Sequence, residues 1–553
     1  MAADRNRRTR HSRASRALAL TVLGTALALP SMAMADASNG VLRVGTSFTC
    51  SSLNPYSTTQ SSCLTALRLL YPSLGQAGIG SEMTPDLAES WSVDETGLIW
   101  TFKLKSGGQW SDGQPVTAKD AAFTITMLLA HADGPTARRA RAIANVDTAV
   151  ASDDQTLVVT FKQPTANAVG RLAQLIIVPE HIWAPLAEGD GAALSSFAND
   201  QPVAGGAFTL ARFEPDQAII MQPNPNYYGT PTALKGVGIQ FFGDSTAMVS
   251  ALLNDQIDVL TPLPVTSVDA VTKAGLNVAN FPGLRFHNLI LNSSENQTAF
   301  PEIRDPKVRE AFAHAIDRAK IADVAYLGYA VPGDAMVPKV TGEWSNPAIV
   351  PETFDLERAN ALLDEAGYAK GADGVRVANG HPMRYKVLIP ANVEGAEGLR
   401  ALDIVTADFK QIGVELVPEQ GDSSTVSDAI VGPDNTYASS TIAQWGWIPQ
   451  MDPDFILSVL LCKQVGGLNE SGYCNPEYDE LYDAQASEID PAKRQPIVWK
   501  MQEITQRDRP YIVTVQQNNI EAYSPKWTGF VEDPIGFLNY TSNRTFVNLR
   551  PAE

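Results

Sequence analysis

From Leu98 to Leu104 apolar side chains fall at every second position (Leu98, Trp100, Phe102, Leu104), the spacing of a strand with one buried face. A glycine turn follows, then a run of helical spacing. Thr117 is its expected N-cap, with Asp120 at the capping-box position where Glu or Gln is commoner. Three more helices are predicted. Asp305 caps one with Pro306 in its first turn and an apolar face of Val308, Phe312, Ala315, Ile316 and Ala319. Asp355 caps the second, whose stripe is Leu356, Ala359, Leu362, Leu363 and Ala366 and whose stop is Gly367. The third spans 399–412, ends at Gly413 and feeds a strand at 414–418. Strands are also expected at 41–44 and 439–447. On the latter Trp445 and Trp447 share a face, and Gly446 admits the approach of another backbone. Such alternation builds an open sheet with helices on its faces, a large α/β protein.

The leader narrows the compartment. Residues 1–16 carry six arginines against Asp4, and 17–29 are an apolar run too short to cross a bilayer. Ala33-Met34-Ala35 is a cleavage pattern, so 1–35 reads as a secretory signal peptide and Asp36 as the mature N-terminus. The first cysteine is Cys50, so no lipid-attachment cysteine stands at the cleavage site, and a secreted protein free in the periplasm is expected. The remaining 518 or so residues exceed one comfortable core, and two or more domains are expected.

Removing the leader takes the formal charge from −19 to −24, a field that argues against nucleic acid as a partner. The cysteines form two close pairs, Cys50 with Cys63 and Cys462 with Cys474. Three connectivities exist. Short loops in an oxidising compartment favour the local one. The sequence has no C-x-x-C, and its histidines are scattered, so no metal site and no cofactor is expected. Hydrolase signatures such as G-x-S-x-G and H-E-x-x-H are absent. Asp452 and Asp454 make a carboxylate pair, but Asp454 reads as a solvated turn or cap residue.

Five segments in order resemble one family. They are 85–123 (PDLAESWSVDETGLIWTFKLKSGGQWSDGQPVTAKDAAF), 203–229 (VAGGAFTLARFEPDQAIIMQPNPNYYG), 288–338 (NLILNSS, then DPKVREAFAHAIDRAKIADVAYLGYAVPGDAMVP), 355–368 (DLERANALLDEAGY) and 441–479 (TIAQWGWIPQMDPDF through CNPEYDE). The chain is thereby similar to the solute-binding proteins of the dipeptide, oligopeptide and nickel class that serve ABC importers. The resemblance implies a two-lobed periplasmic-binding-protein (Venus-flytrap) fold with an additional third subdomain. Lobe one would comprise 36–70, 205–282 and 524–553, the extra subdomain 71–204, and lobe two 283–523. It implies a monomeric receptor rather than an enzyme, with a peptide or similar small solute and membrane permease subunits as partners.

A ligand held at the hinge would meet two segments. After the first strand, Thr46, Ser47 and Phe48 offer hydroxyls, backbone and a ring, and in peptide-binding relatives this segment pairs with the ligand main chain. In the second, Trp445, Gly446 and Trp447 can wall a pocket for apolar groups or a sugar ring. Dipeptide and oligopeptide receptors place an Asp for the ligand's ammonium a few residues after Gly-Trp. Here Gln450 aligns with it, while Asp452 is the alternative under a one-residue gap, although it looks more like the structural aspartate of the Asp-Pro pair that follows. Asn392 falls near an arginine that dipeptide-type relatives use for the ligand carboxylate. A zwitterionic dipeptide would lose both anchors, so the resemblance points to an oligopeptide, a modified peptide or another neutral solute such as an oligosaccharide.

Overall fold

A computed structural model describes residues 40–77 and 83–552. The leader lies outside the described residues. The centre is an eleven-stranded sheet. Its order is Glu415–Gly421, Arg384–Pro390, Ile442–Trp447, Asn277–Leu291, Tyr511–Tyr523, Val259–Thr261, Val41–Thr46, Gly236–Phe241, Ala218–Pro223 and Phe208–Glu214, with Ala330–Pro332 added beside Tyr511–Tyr523.

Asn277–Leu291 and Tyr511–Tyr523, the two longest described strands, lie side by side at its centre, and their antiparallel ladder slips in the middle. Pro282 pairs with Asn518, but the next partner of Gln516 is Phe286, which leaves 283–285 opposite Gln517 alone. The sequence explains the slip. Proline has no N–H for the ladder, and at Gly283 a Cβ would stand 2.7 Å from the Gln517 carbonyl oxygen. Leu284 N–H turns away instead, to the Pro534 carbonyl at 3.2 Å.

The packing divides at the same place. Two hydrophobic clusters draw their buried members from 42–281 and 520–549. Two others draw theirs from 286–515 and cover the other half of the sheet on both faces. A separate four-stranded sheet, in the order Ala88–Val93, Ile99–Leu104, Thr156–Phe161, Val146–Asp153, packs on the helix Ala118–Ala130 and shares the first cluster.

The expected alternation holds at Ile99–Leu104, where Phe102 and Leu104 are buried and Lys103 is exposed. Both halves of the Thr117–Asp120 capping box form. Asp suits the third position because its other oxygen, Oδ1, accepts the Glu180 N–H at 3.0 Å. Asp305 and Asp355 cap their helices as expected. Ala319, assigned to the first of these apolar faces, is exposed, because that helix ends at His314 and Asp317 caps a new turn. The helix expected at 399–412 begins earlier, at Ala391–Gln411, with a break at Gly395 (φ +65°). The first strand extends to Thr46, and the strand expected at 439–447 starts only at Ile442. Cys50–Cys63 and Cys462–Cys474 are both disulfide-bonded, the local pairing.

Candidate functional site

Parallel strands direct their ends toward the slip. Val41–Thr46 runs parallel to Val259–Thr261, which is antiparallel to Tyr511–Tyr523. On the other half, Arg384–Pro390 and Ile442–Trp447 run parallel to each other and end beside the slip, with Trp447 opposite Phe286. Carboxyl ends of strands in open α/β sheets are where ligands bind, because loops and helix starts converge there.

The helix after Pro390 brings Glu394 into this region. Its Oε2 accepts from His287 Nδ1 at 3.0 Å and from Gln444 Nε2 at 3.0 Å, and it is buried. His287 Nε2 meets Gln517 Oε1 at 3.1 Å, so the ring is held between Glu394 and Gln517 at its two nitrogens. Burial would raise the Glu394 carboxyl, but the His287 charge and hydrogen bond, the Gln444 amide and the Arg285 charge outweigh it and hold the group below its ordinary value. Gly446 lies beneath this pair. A Cβ there would stand 3.0 Å from both Glu394 Oε1 and His287 Nδ1, so the residue admits two side chains rather than the backbone expected from the sequence.

Trp445 and Trp447 pair with Asn288 and Phe286 and pack, half-buried, on the cluster containing Phe286, Ile290 and Leu388. Trp447 meets Phe455 edge-on at 6.1 Å. The same face holds the Asn288 amide, whose oxygen and nitrogen have no partner among the described residues, and the Trp447 indole N–H, which is directed at the Glu470 carboxyl. Nearby, burial pushes the Glu470 carboxyl up to about 8, against a 3.5 Å contact from the Tyr511 hydroxyl.

The loop after Trp447 is committed to protein partners. Gln450 and Gln174 exchange amide hydrogen bonds at 3.3 and 3.4 Å. Asp452 accepts a bidentate pair from Arg494 at 2.6 and 2.9 Å, and that guanidinium lies 4.7 Å from the Trp344 ring. Asp454, expected to be solvated, instead takes Arg171 Nη2 at 2.5 Å, the Tyr482 hydroxyl at 3.1 Å and Gln485 Nε2 at 3.2 Å. With Gln450–Gln174 it ties the segment 168–174 to the opposite half of the sheet. Asn392 is exposed, two residues before Glu394.

Thr46 is buried, and its Oγ1 accepts the Phe48 N–H at 3.2 Å. Ser47 and Phe48 are exposed beyond the ladder, and the Phe48 carbonyl takes the Ser62 hydroxyl at 3.0 Å. Thr46 pairs with Thr261, whose hydroxyl donates to Glu521 at 2.9 Å. The structure thus groups Trp445, Gly446, Trp447, Gln450 and Asp452 on one strand and its loop, with Asn392 near them. Thr46, Ser47 and Phe48 lie across both long strands from that group.

Sequence reasoning missed Arg285, His287 and Glu394. Arg285 and His287 stand two apart in a strand whose other polar side chains are asparagines, which was the available signal. Two surface depressions, of about 780 Å³ beside Tyr523 and Phe530 and about 340 Å³ beside Trp91 and Trp100, lie away from these strand ends. Among the described residues no group of three or more His, Cys, Asp or Glu is arranged to hold a metal, and no helix is long and apolar enough to cross a membrane.

Comparison with known proteins agrees on one class. The family described as bacterial extracellular solute-binding proteins, family 5 Middle, matches residues 82–467. A putative ABC transporter peptide-binding protein of Brucella ovis is 28% identical over 460 residues, 81% of this chain and 82% of its own length. The glutathione-binding protein of Escherichia coli is 24% identical over 531 residues, 92% and 95% of the two chains. Among solved structures, the periplasmic binding protein DppA of Helicobacter pylori in complex with the peptide STSA superposes with a TM-score of 0.73 at 22% identity, covering 92% of this chain and 98% of that one.

Proposed function

Since the chain belongs to the bacterial extracellular solute-binding proteins of family 5, we propose that it is the receptor of an ABC importer that captures a peptide-like solute between two lobes and hands it to a membrane permease. One observation carries the mechanism. Two halves with separate hydrophobic clusters are joined by two strands whose ladder slips at 283–285 and Gln517. A slipped ladder bends more easily than an intact one, so the halves move as bodies about that point.

On this reading lobe one is built from 36–70, 205–282 and the C-terminal segment, with 71–204 as its extra subdomain, and lobe two occupies the chain from 283 to the second crossing near Gln517. The Arg171–Asp454 and Gln174–Gln450 contacts close the subdomain onto lobe two. Ligand favours this closed form only as far as it binds it more tightly than the open one. The cycle has no chemical step and needs no cofactor. On this reading the protein works as a secreted monomer in the periplasm, without nucleic acid as partner.

The solute contacts follow from the strand ends. Ser47 and Phe48, exposed beyond the ladder, stand where an extended peptide can approach, and Trp445 and Trp447 supply apolar wall. Gln450 carries no charge and is held by Gln174, so simple dipeptides titrated into the mature protein are expected to bind no tighter than millimolar. Stoichiometric retention of longer peptides without turnover, and loss of their uptake in a deletion strain, are the expected results. Turnover of a labelled peptide by the purified protein would replace the receptor with a hydrolase.

A further inference from the structure

Arg285 stands inside the slip, where its strand has left its partner, and two positions before His287. The other interior arginines are well supplied. Arg43, Arg309, Arg318, Arg376 and Arg494 each donate to several carboxylates or carbonyls, and Arg68 reaches three backbone oxygens. The Arg285 guanidinium has neither a hydrogen bond nor an ion pair among the described residues.

Its surroundings are enclosed but wet. Desolvation lowers its pKa, against the Glu394 carboxylate and the Tyr326 phenol, yet the side chain is only half-buried and its nitrogens still touch solvent. A group crowded by protein but reached by water lies in a recess. The groups around that recess are His287, Glu394, Tyr326, Gln517 and, farther out, the ion pair of Glu397 with Arg400 at 3.3 Å.

The carboxylate beside Arg285 is largely spent on other partners. Glu394 spends Oε2 on His287 and Gln444, and its Oε1 is buried without a partner among the described residues. Arg285 thus faces a carboxylate already engaged by His287 and Gln444. The hydroxyl of Tyr326, whose ring centroid is 5.6 Å from that of His287, likewise has no partner among the described residues.

We propose that Arg285 anchors a carboxylate of the solute at the hinge, in a recess completed by Tyr326. A monoanion is specified because Glu394, in the same recess, repels a phosphate dianion while one guanidinium matches one carboxylate as a fork. The anchor rests on the receptor reading above. It supplies the positive charge that Asn392 does not carry and narrows the solute from neutral to carboxylate-bearing.

The probe is a random pentapeptide library lacking Asp and Glu, made once with free C-terminal carboxylates and once as C-terminal carboxamides. It is offered to mature protein stripped of ligand by unfolding and refolding, and retention is read by native mass spectrometry. Wild type should favour the carboxylate form by about ten- to hundredfold, the range of a buried charge-assisted hydrogen bond. Arg285→Gln should abolish the preference without lowering retention of the amides. Arg285→Lys, which keeps the charge but loses the fork, should retain part of it, and it decides the matter if the glutamine variant does not fold. A preference unchanged in either variant overturns the anchor and leaves the receptor standing. Retention of neither library by wild type overturns the peptide-receptor reading and the anchor with it.

Discussion

At the scale of single residues, the candidate site depends on small groups that keep out of the way of charged ones. Gly446 is the clearest case. Alanine there would bring a methyl to 3.0 Å from both Glu394 Oε1 and His287 Nδ1, a buried pair with no room to retreat. Gly446→Ala is expected to destabilise the protein by about 1–3 kcal/mol, the cost of overpacking, read as a lower urea midpoint with an unchanged slope. A midpoint equal to wild type would mean that the pair shifts freely. This residue also marks the limit of reading the chain unaided. Trp445 and Trp447 sharing a face followed from the two-residue repeat, and Asp452 as a structural aspartate followed from the Asp-Pro pattern. That Gly446 serves His287 and Glu394 did not, because those two residues are 107 positions apart and meet only through the sheet.

Elements that rest on local chemistry were legible. Caps at Thr117, Asp305 and Asp355, the stop at Gly367 and the Cys50–Cys63 and Cys462–Cys474 pairings each depend on residues close in sequence. The long strands were not, since Pro282-Gly283 reads as a break, and only pairing with Tyr511–Tyr523 lets the strand resume at Phe286. The face through Ala319 failed for a related reason: a cap at Asp317 restarted the helix out of phase. The disulfide Cys462–Cys474 has a measurable share in this level of structure. It closes a short loop that leads into the helix Pro476–Ser487, against which Asp454 packs through Tyr482 and Gln485. Replacing both cysteines by serine is expected to cost about 3 kcal/mol by releasing the unfolded chain. Differential scanning calorimetry should show the loss as a lower Tm, and an unaltered Tm would mean that the loop is already ordered without the bridge.

For the whole molecule, buried carboxyls set how stability follows pH, and they pull in opposite directions. Burial raises Glu470 and Glu521 to about 8, and it also raises Asp120, Asp408 and Asp533. A carboxyl with a raised pKa keeps its proton in the native state where the unfolded chain has already lost it. The native state then binds more protons, and stability declines as pH rises from the ordinary carboxylate value to about 8. Glu394 has the other sign. Its pKa is held down, so its contribution is present above the ordinary value and lost as pH falls through the depressed one. The two trends cross near the ordinary carboxylate range, and the protein should be most stable at about pH 5 and weaker by a few kcal/mol at pH 8. Urea unfolding at the two pH values measures the difference. Glu470→Gln keeps the shape while removing one titration, so its decline between pH 5 and pH 8 should be smaller than that of wild type by at least about 1 kcal/mol. A wild type equally stable at both values, or a variant with an undiminished decline, would mean that water reaches Glu470 and that the space behind Trp447 and Tyr511 is open rather than dry.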